Sequence, residues 1–189
     1  MVKNIAVLAS GGGSNFENLA LKSSENGFEI KVLITDSPDA FAVKRAGKLN
    51  IPSAIVDRSA YSNKQKFEQG IREALADFDI DYIVLAGFMR ILSADFINAY
   101  KDHIINLHPS LLPSFKGRNG IEDAYNYGVK VTGVTIHYVD AGIDTGKIIA
   151  QTAVLIEENE TLHSLEEKIH QVEYDLYPAA LKKVLDGRV

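Results

Sequence analysis

The chain has 189 residues, 46% of them hydrophobic and 24% charged, with a formal net charge of -5. That supplies enough apolar material for one domain with a full core, and the acidic balance argues against a broad basic stripe that tracks nucleic-acid phosphates. Cysteine is absent, which excludes disulfides, thiolate nucleophiles and cysteine metal sites, and no apolar run approaches the roughly 20 residues of a membrane span.

The opening Met1-Val2-Lys3-Asn4-Ile5 leads directly into a strand and lacks the apolar region of a signal peptide, so a cytoplasmic protein is expected. Ile5-Ala6-Val7-Leu8-Ala9 is a continuous apolar run, the pattern of a strand covered on both faces. It ends in Ser10-Gly11-Gly12-Gly13-Ser14-Asn15, followed by Phe16, Leu19 and Ala20 at helical spacing. Ser14 and Glu17 have capping-box spacing, which predicts a helix start near Ser14. Strand, glycine loop and helix N-terminus together can cradle a phosphate on free amides. The Walker pattern is missing, and the dinucleotide fingerprint fails at Phe16, its third glycine position. A mononucleotide or sugar phosphate therefore fits better than a dinucleotide. The plainer reading is a tight turn with a good cap, but three consecutive glycines exceed what a turn needs.

A second strand is predicted over 29–34, a helix over 40–49 and a short strand over 54–56. Ser62 and Gln65 repeat the capping-box spacing before a helix that buries Phe67, Ile71 and Leu75, with Phe78 a further candidate. Tyr82-Ile83-Val84-Leu85-Ala86 is another fully apolar strand. It opens into Gly87-Phe88-Met89-Arg90-Ile91-Leu92, and Ser93 caps a short helix. By itself Arg90 reads as a surface residue or as a carboxylate ligand. This alternation of strands and helices predicts an α/β fold: one Rossmann-like domain over 1–189, with a mostly parallel twisted sheet and helices on both faces. Ligands of such sheets sit beyond the carboxyl ends of the strands.

Ile104-Ile105-Asn106-Leu107-His108-Pro109 is a strand that stops at a proline. Alternation places Asn106 and His108 on one face and Leu107 on the other. An amide and an imidazole side by side suit polarisation of a carbonyl. The alternative is a loop-capping histidine and a structural asparagine. Residues 114–120 read as a mobile loop, 121–127 as a helix and 131–139 as a β-branched strand containing His137. The Asp140-Ala141-Gly142-Ile143-Asp144-Thr145-Gly146 connection follows, then a strand through Ile148, Ile149 and Ala150. Asp144 is either a turn former or the partner that orients or charges an imidazole. His108, His137 and Asp144 lack any recognised metal-ligand spacing, and no metal is expected. Leu162, Leu165, Ile169, Val172 and Leu176 form a helical apolar stripe with Glu173 and Tyr177 beside it, and Pro178 is expected to kink or restart that helix.

Asn106-Leu107-His108-Pro109-Ser110-Leu111-Leu112-Pro113 resembles the catalytic segment of the folate-dependent formyltransferases, and Gly133 through Gly146, with Asp144, resembles that family's second signature. The likeness spans nearly the whole chain. It also includes Ser10 to Asn15, Ala86 to Leu92, and Val172-Glu173-Tyr174-Asp175-Leu176-Tyr177-Pro178. It is greatest for the branch of the family that acts in purine biosynthesis. The resemblance implies the formyltransferase fold, with a phosphate-binding half over about 1–100 and a catalytic and folate-binding half over about 101–189. It implies 10-formyltetrahydrofolate as co-substrate and glycinamide ribonucleotide as acceptor. It implies catalytic roles for Asn106, His108 and Asp144. Gly12, Gly13, Ser14 and Asn15 would bind substrate phosphate, and Glu173 the ribose. Met89, Arg90, Ile91 and Leu92, with Asp140, Ala141 and Ile143, would bind folate. No metal, nucleic acid or membrane is implied, and a monomer or homodimer is expected. Lys116 and Asn119 depart from the family, which more often has Pro at the first position and His or Asp at the second.

The family's tRNA-formylating and folate-hydrolysing members carry an extra domain, for which 189 residues leave no room. Sugar-nucleotide formyltransferases are usually longer. A non-catalytic phosphate sensor on the same sheet is disfavoured by the joint presence of Asn106, His108 and Asp144.

Overall fold

The structure, a computed structural model, describes residues 2–189. Its elements run β1 (Lys3–Leu8), α1 (Ser14–Leu21), β2 (Phe28–Thr35), α2 (Phe41–Lys48), β3 (Ser53–Ile55), α3 (Lys64–Ala76), β4 (Tyr82–Leu85), α4 (Ala94–Ala99), β5 (Ile104–His108), α5 (Gly120–Tyr127), β6 (Val131–Tyr138), β7 (Ile148–Leu155) and α6 (Leu162–Leu185). The strands form a seven-stranded sheet in the order β3-β2-β1-β4-β5-β6-β7. β1 pairs in parallel with β2 and β4, and β2 with β3, while β6 and β7 are antiparallel. The fold is therefore α/β with a mostly parallel sheet flanked by helices. The chain divides into two compact units, one ending at Ile105 and the other running from Asn106 to Val189.

In the first unit the apolar run of β1 is fully enclosed: Ile5, Ala6, Val7, Leu8 and Ala9 are all 0% exposed. Val32, Leu33 and Ile34 of β2 are equally enclosed, as a parallel strand buried on both faces requires. Phe16 and Leu19 of α1, and Phe67, Ile71 and Leu75 of α3, are buried as their spacing predicts. Each such side chain contributes about 1.5–3 kcal/mol by leaving water.

Two helix caps differ from expectation. α1 begins at Ser14, but its cap is Gly13 in the left-handed region, and no side chain caps it. Ser14 is the first helical residue, so the capping-box spacing with Glu17 is incidental. α3 is capped by Asn63, whose Oδ1 accepts from the Lys66 amide, rather than by Ser62. Ser93 does cap α4, accepting from the Phe96 amide. Glu68, itself buried, fixes that cap by accepting from the Ser93 amide at 2.6 Å and from the Ser93 hydroxyl.

In the second unit β6 is buried from Thr132 to His137. Its partner α6 continues through Pro178 without restarting. Proline costs a helix one hydrogen bond and clashes with the preceding turn, but here it lies among buried Tyr177, Ala180, Leu181 and Val184, whose packing offsets that cost. The buried row runs Leu165, Ile169, Glu173, Tyr177, Leu181. Glu173 and Tyr177 thus sit at the centre of the stripe rather than beside it, and Val172 and Leu176 fall on its flank.

Candidate active site

In the first unit, the glycine loop joins β1 to α1. Only one of its three glycines is demanded by the chain. Gly13 has φ +72°, and a Cβ there would lie 2.6 Å from Ala42 Cβ on α2. Gly11 and Gly12 have ordinary φ values, and a Cβ on either would meet nothing within 4 Å. Their lack of side chains leaves backbone open to an approaching ligand. α2 pins the loop from one side: the Ala42 amide donates to Gly11 O at 3.1 Å, and Arg45 Nε donates to Gly12 O at 2.8 Å. Ser14 and Asn15 form the first turn of α1, both half-buried.

The loop after β4 hangs on the same glycine loop. The Ser10 amide donates to Gly87 O at 3.0 Å, and the Met89 amide donates to Ser10 Oγ at 2.8 Å. Met89 and Ile91 are 54% and 66% exposed, two large apolar side chains on one short loop at a strand's carboxyl end. Leu92 is buried and belongs to the core. Arg90 is neither free nor purely a surface residue. Its Nε donates at 2.5 Å to Oδ2 of Asp36, a carboxylate only 2% exposed, at the end of β2.

In the second unit the residues from three separate stretches converge. β5 delivers Asn106 and His108 on one face, with Leu107 buried on the other. His108 Nδ1 lies 3.4 Å from Asp144 Oδ2. His108 Nε2 lies 2.8 Å from Phe115 O. A carbonyl can only accept, so Nε2 carries hydrogen. Asp144 adopts φ +49°, a left-handed conformation that aspartate tolerates better than most residues. Its Oδ2 also accepts from the Gly117 amide at 2.8 Å. The loop over 114–120 therefore clamps both His108 and Asp144.

His137 on β6 is a fourth member, which sequence reasoning had set aside together with the metal question. Its Nδ1 lies 2.8 Å from Tyr138 O and must carry hydrogen there. Its Nε2 lies 3.2 Å from Asn106 Nδ2. Burial pushes the His137 imidazole below its ordinary value of 6.5. The ring is thus neutral, with Nε2 unprotonated and accepting from the Asn106 amide. Its 3.7 Å approach to Asp144 Oδ1 is then not an ion pair. Accepting from one Asn106 N–H fixes the plane of that amide, so the second N–H has a set direction. Among the described residues, no group of three His, Cys, Asp or Glu side chains is arranged to hold a metal ion.

The loop between β6 and β7 is shaped by its own residues. Asp140 Oδ1 accepts from the Gly142 amide at 3.1 Å and from the Thr145 hydroxyl at 2.6 Å. A Cβ on Gly146 would lie 1.7 Å from Tyr138 O, so only glycine closes the loop there. Ala141 is exposed and Ile143 is 53% exposed. Glu173 on α6 is buried, with its Oε2 3.0 Å from His170 Nδ1. That contact draws the His170 imidazole above 6.5. His170 and Arg45 carried no sequence signal beyond helical position, because their partners depend on tertiary packing.

The chain matches the family model described as Formyl transferase over residues 3–181. The phosphoribosylglycinamide formyltransferase of Bacillus subtilis (strain 168) is 44% identical to it over 186 residues, 97% of this chain and 95% of that protein. A trifunctional purine biosynthetic protein of Homo sapiens is 38% identical over 187 residues, 98% of this chain but only 18% of that longer protein. The crystal structure of phosphoribosylglycinamide formyltransferase from Bacillus halodurans has a TM-score of 0.93 at 46% identity, covering 97% of this chain and 95% of the other.

Proposed function

Because the chain belongs to the formyl transferase family, we propose that it transfers the formyl group of 10-formyltetrahydrofolate to the amine of glycinamide ribonucleotide in purine biosynthesis. The observation that supports this most is the convergence of Asn106, His108 and Asp144, with the carboxylate 3.4 Å from the imidazole. The amine attacks the formyl carbon, and the carbonyl electrons move to oxygen. Asn106 Nδ2–H and the His108 imidazole stabilise the tetrahedral oxyanion by donating to it. The His108 Nε2 hydrogen, which rests on Phe115 O, exchanges that weaker acceptor for the oxyanion. Asp144 assists transfer of a proton from the attacking amine to the departing folate nitrogen, directly or through water. Breakage of the carbon–nitrogen bond to folate then releases formylated product, and no covalent enzyme intermediate is needed.

In the first unit the phosphate of the acceptor is assigned to Gly12, Gly13, Ser14 and Asn15, and Met89, Arg90, Ile91 and Leu92 are assigned to folate. In the second, Glu173 is assigned to the ribose hydroxyls, and Asp140, Ala141 and Ile143 to folate. In the first unit the exposed apolar side chains of Met89 and Ile91 suit a flat aromatic ligand, and in the second Ile143 offers an exposed apolar side chain of its own. Leu92 acts through the packing beneath its loop, and Asp140 through the turn it closes. The substrates are small molecules, and the place of action is the cytoplasm.

The test is His108→Ala. Loss of one oxyanion donor lowers kcat by about 10²–10³, while calorimetric affinity for glycinamide ribonucleotide stays within a few-fold of the parent. Near-normal turnover by this variant would remove His108 from the mechanism.

A further inference from the structure

We infer that Arg45 is a positioning residue for substrate phosphate: by holding the Gly12 carbonyl it aims the Gly13 amide hydrogen out of the chain. The inference rests on the assignment of phosphate to the glycine loop. A trans peptide is planar, and its C=O and N–H point in opposite directions. Arg45 Nε draws Gly12 O toward α2 at 2.8 Å, so the Gly13 N–H in the same peptide plane points away from α2. The Ala42 amide does the same to Gly11 O at 3.1 Å, which turns the Gly12 N–H outward as well. Two consecutive amides facing one way form a concave donor pair suited to an anion. No side chain of Gly11 or Gly12 covers that side of the loop, and a Cβ at either would meet nothing within 4 Å.

Arg45 is built for this task rather than for direct contact with phosphate. Its guanidinium also pairs with Glu17 on α1 and lies 5.1 Å over the Phe41 ring. Its charge is thus largely answered within the chain, and its side chain is only 25% exposed. Held by a carbonyl, a carboxylate and an aromatic face, the fork fixes the loop in one orientation before a ligand arrives. A lysine ammonium keeps the charge but lacks the planar fork that serves Gly12 and Glu17 together.

The experiment compares the full chain with Arg45→Met and Arg45→Lys, using glycinamide ribonucleotide and the same acceptor without its 5′-phosphate. The parent is expected to favour the phosphorylated acceptor through KM. Both variants raise the KM of that acceptor about ten-fold, the loss of one aligned charge-assisted hydrogen bond. They leave its kcat, and the kcat/KM of the dephosphorylated acceptor, within about two-fold, because the reacting groups lie elsewhere. An unchanged KM, an equal loss on both acceptors, a loss confined to kcat, or full rescue by lysine would each overturn the inference. A parent that does not distinguish the two acceptors would overturn the phosphate assignment itself, and the inference with it.

Discussion

His137 and His170 are two imidazoles with opposite pH signatures. Burial holds His137 below 6.5, so the unfolded chain takes up its proton first as pH falls. Its contribution is therefore fully present above about 6.5 and is lost as pH drops toward the lowered value. The Glu173 contact holds His170 above 6.5, so its contribution is present below that value and is lost as pH rises through the raised one. Urea midpoints between pH 5 and 8 should then respond differently to substitution. His137→Gln should flatten the acid-side fall, and His170→Gln the alkaline-side fall. If neither substitution changed the pH dependence, these charge assignments would be wrong. Asn106 and His108 were legible as a pair because strand alternation is a local rule. His137 was not legible as their partner, because its contact with Asn106 joins residues 31 apart in sequence. The β-branched strand around it signals only a core position.

Elements were legible where burial is complete and illegible where a neighbour sets the backbone. The enclosed run of β1 announces itself, since no polar residue interrupts it. The cap of α1 does not, because Gly13 takes its positive φ against Ala42 on a different helix. Pro178 does not restart α6 for a similar reason: helix propensity is local, while the packing that carries α6 through it is not. β6 also braces the segment after β5 through a single hydroxyl. Thr135 Oγ1, fully buried, donates to Ser110 O at 2.6 Å and accepts from the Leu112 amide at 3.1 Å and from Gln151 at 2.9 Å. Thr135→Val preserves shape but strands those groups, at a cost of about 1–3 kcal/mol. Chemical denaturation should show that loss. A cost below about 0.5 kcal/mol, a typical surface-substitution effect, would mean that the hydroxyl braces nothing.

At the scale of the molecule, the α/β class followed from the rhythm of strands and helices, and the family followed from residues spread along nearly the entire chain. The division near Ile105 places the glycine loop in one unit and Asn106, His108 and Asp144 in the other. What the sequence could not supply was the wiring within each unit: Arg45 on Gly12, Arg90 on Asp36, and the 114–120 loop on His108 and Asp144. Each is a contact whose partners are set only when the chain packs. Formyl transfer to the ribonucleotide means that turnover requires an amine acceptor. The decisive measurement follows the absorbance change on deformylation of a 10-formyl-folate analogue, with and without glycinamide ribonucleotide. Deformylation is expected only when the ribonucleotide is present, with one formylated acceptor formed per folate released. Release at the same rate without acceptor, or none with it, would rule out formyl transfer to the ribonucleotide.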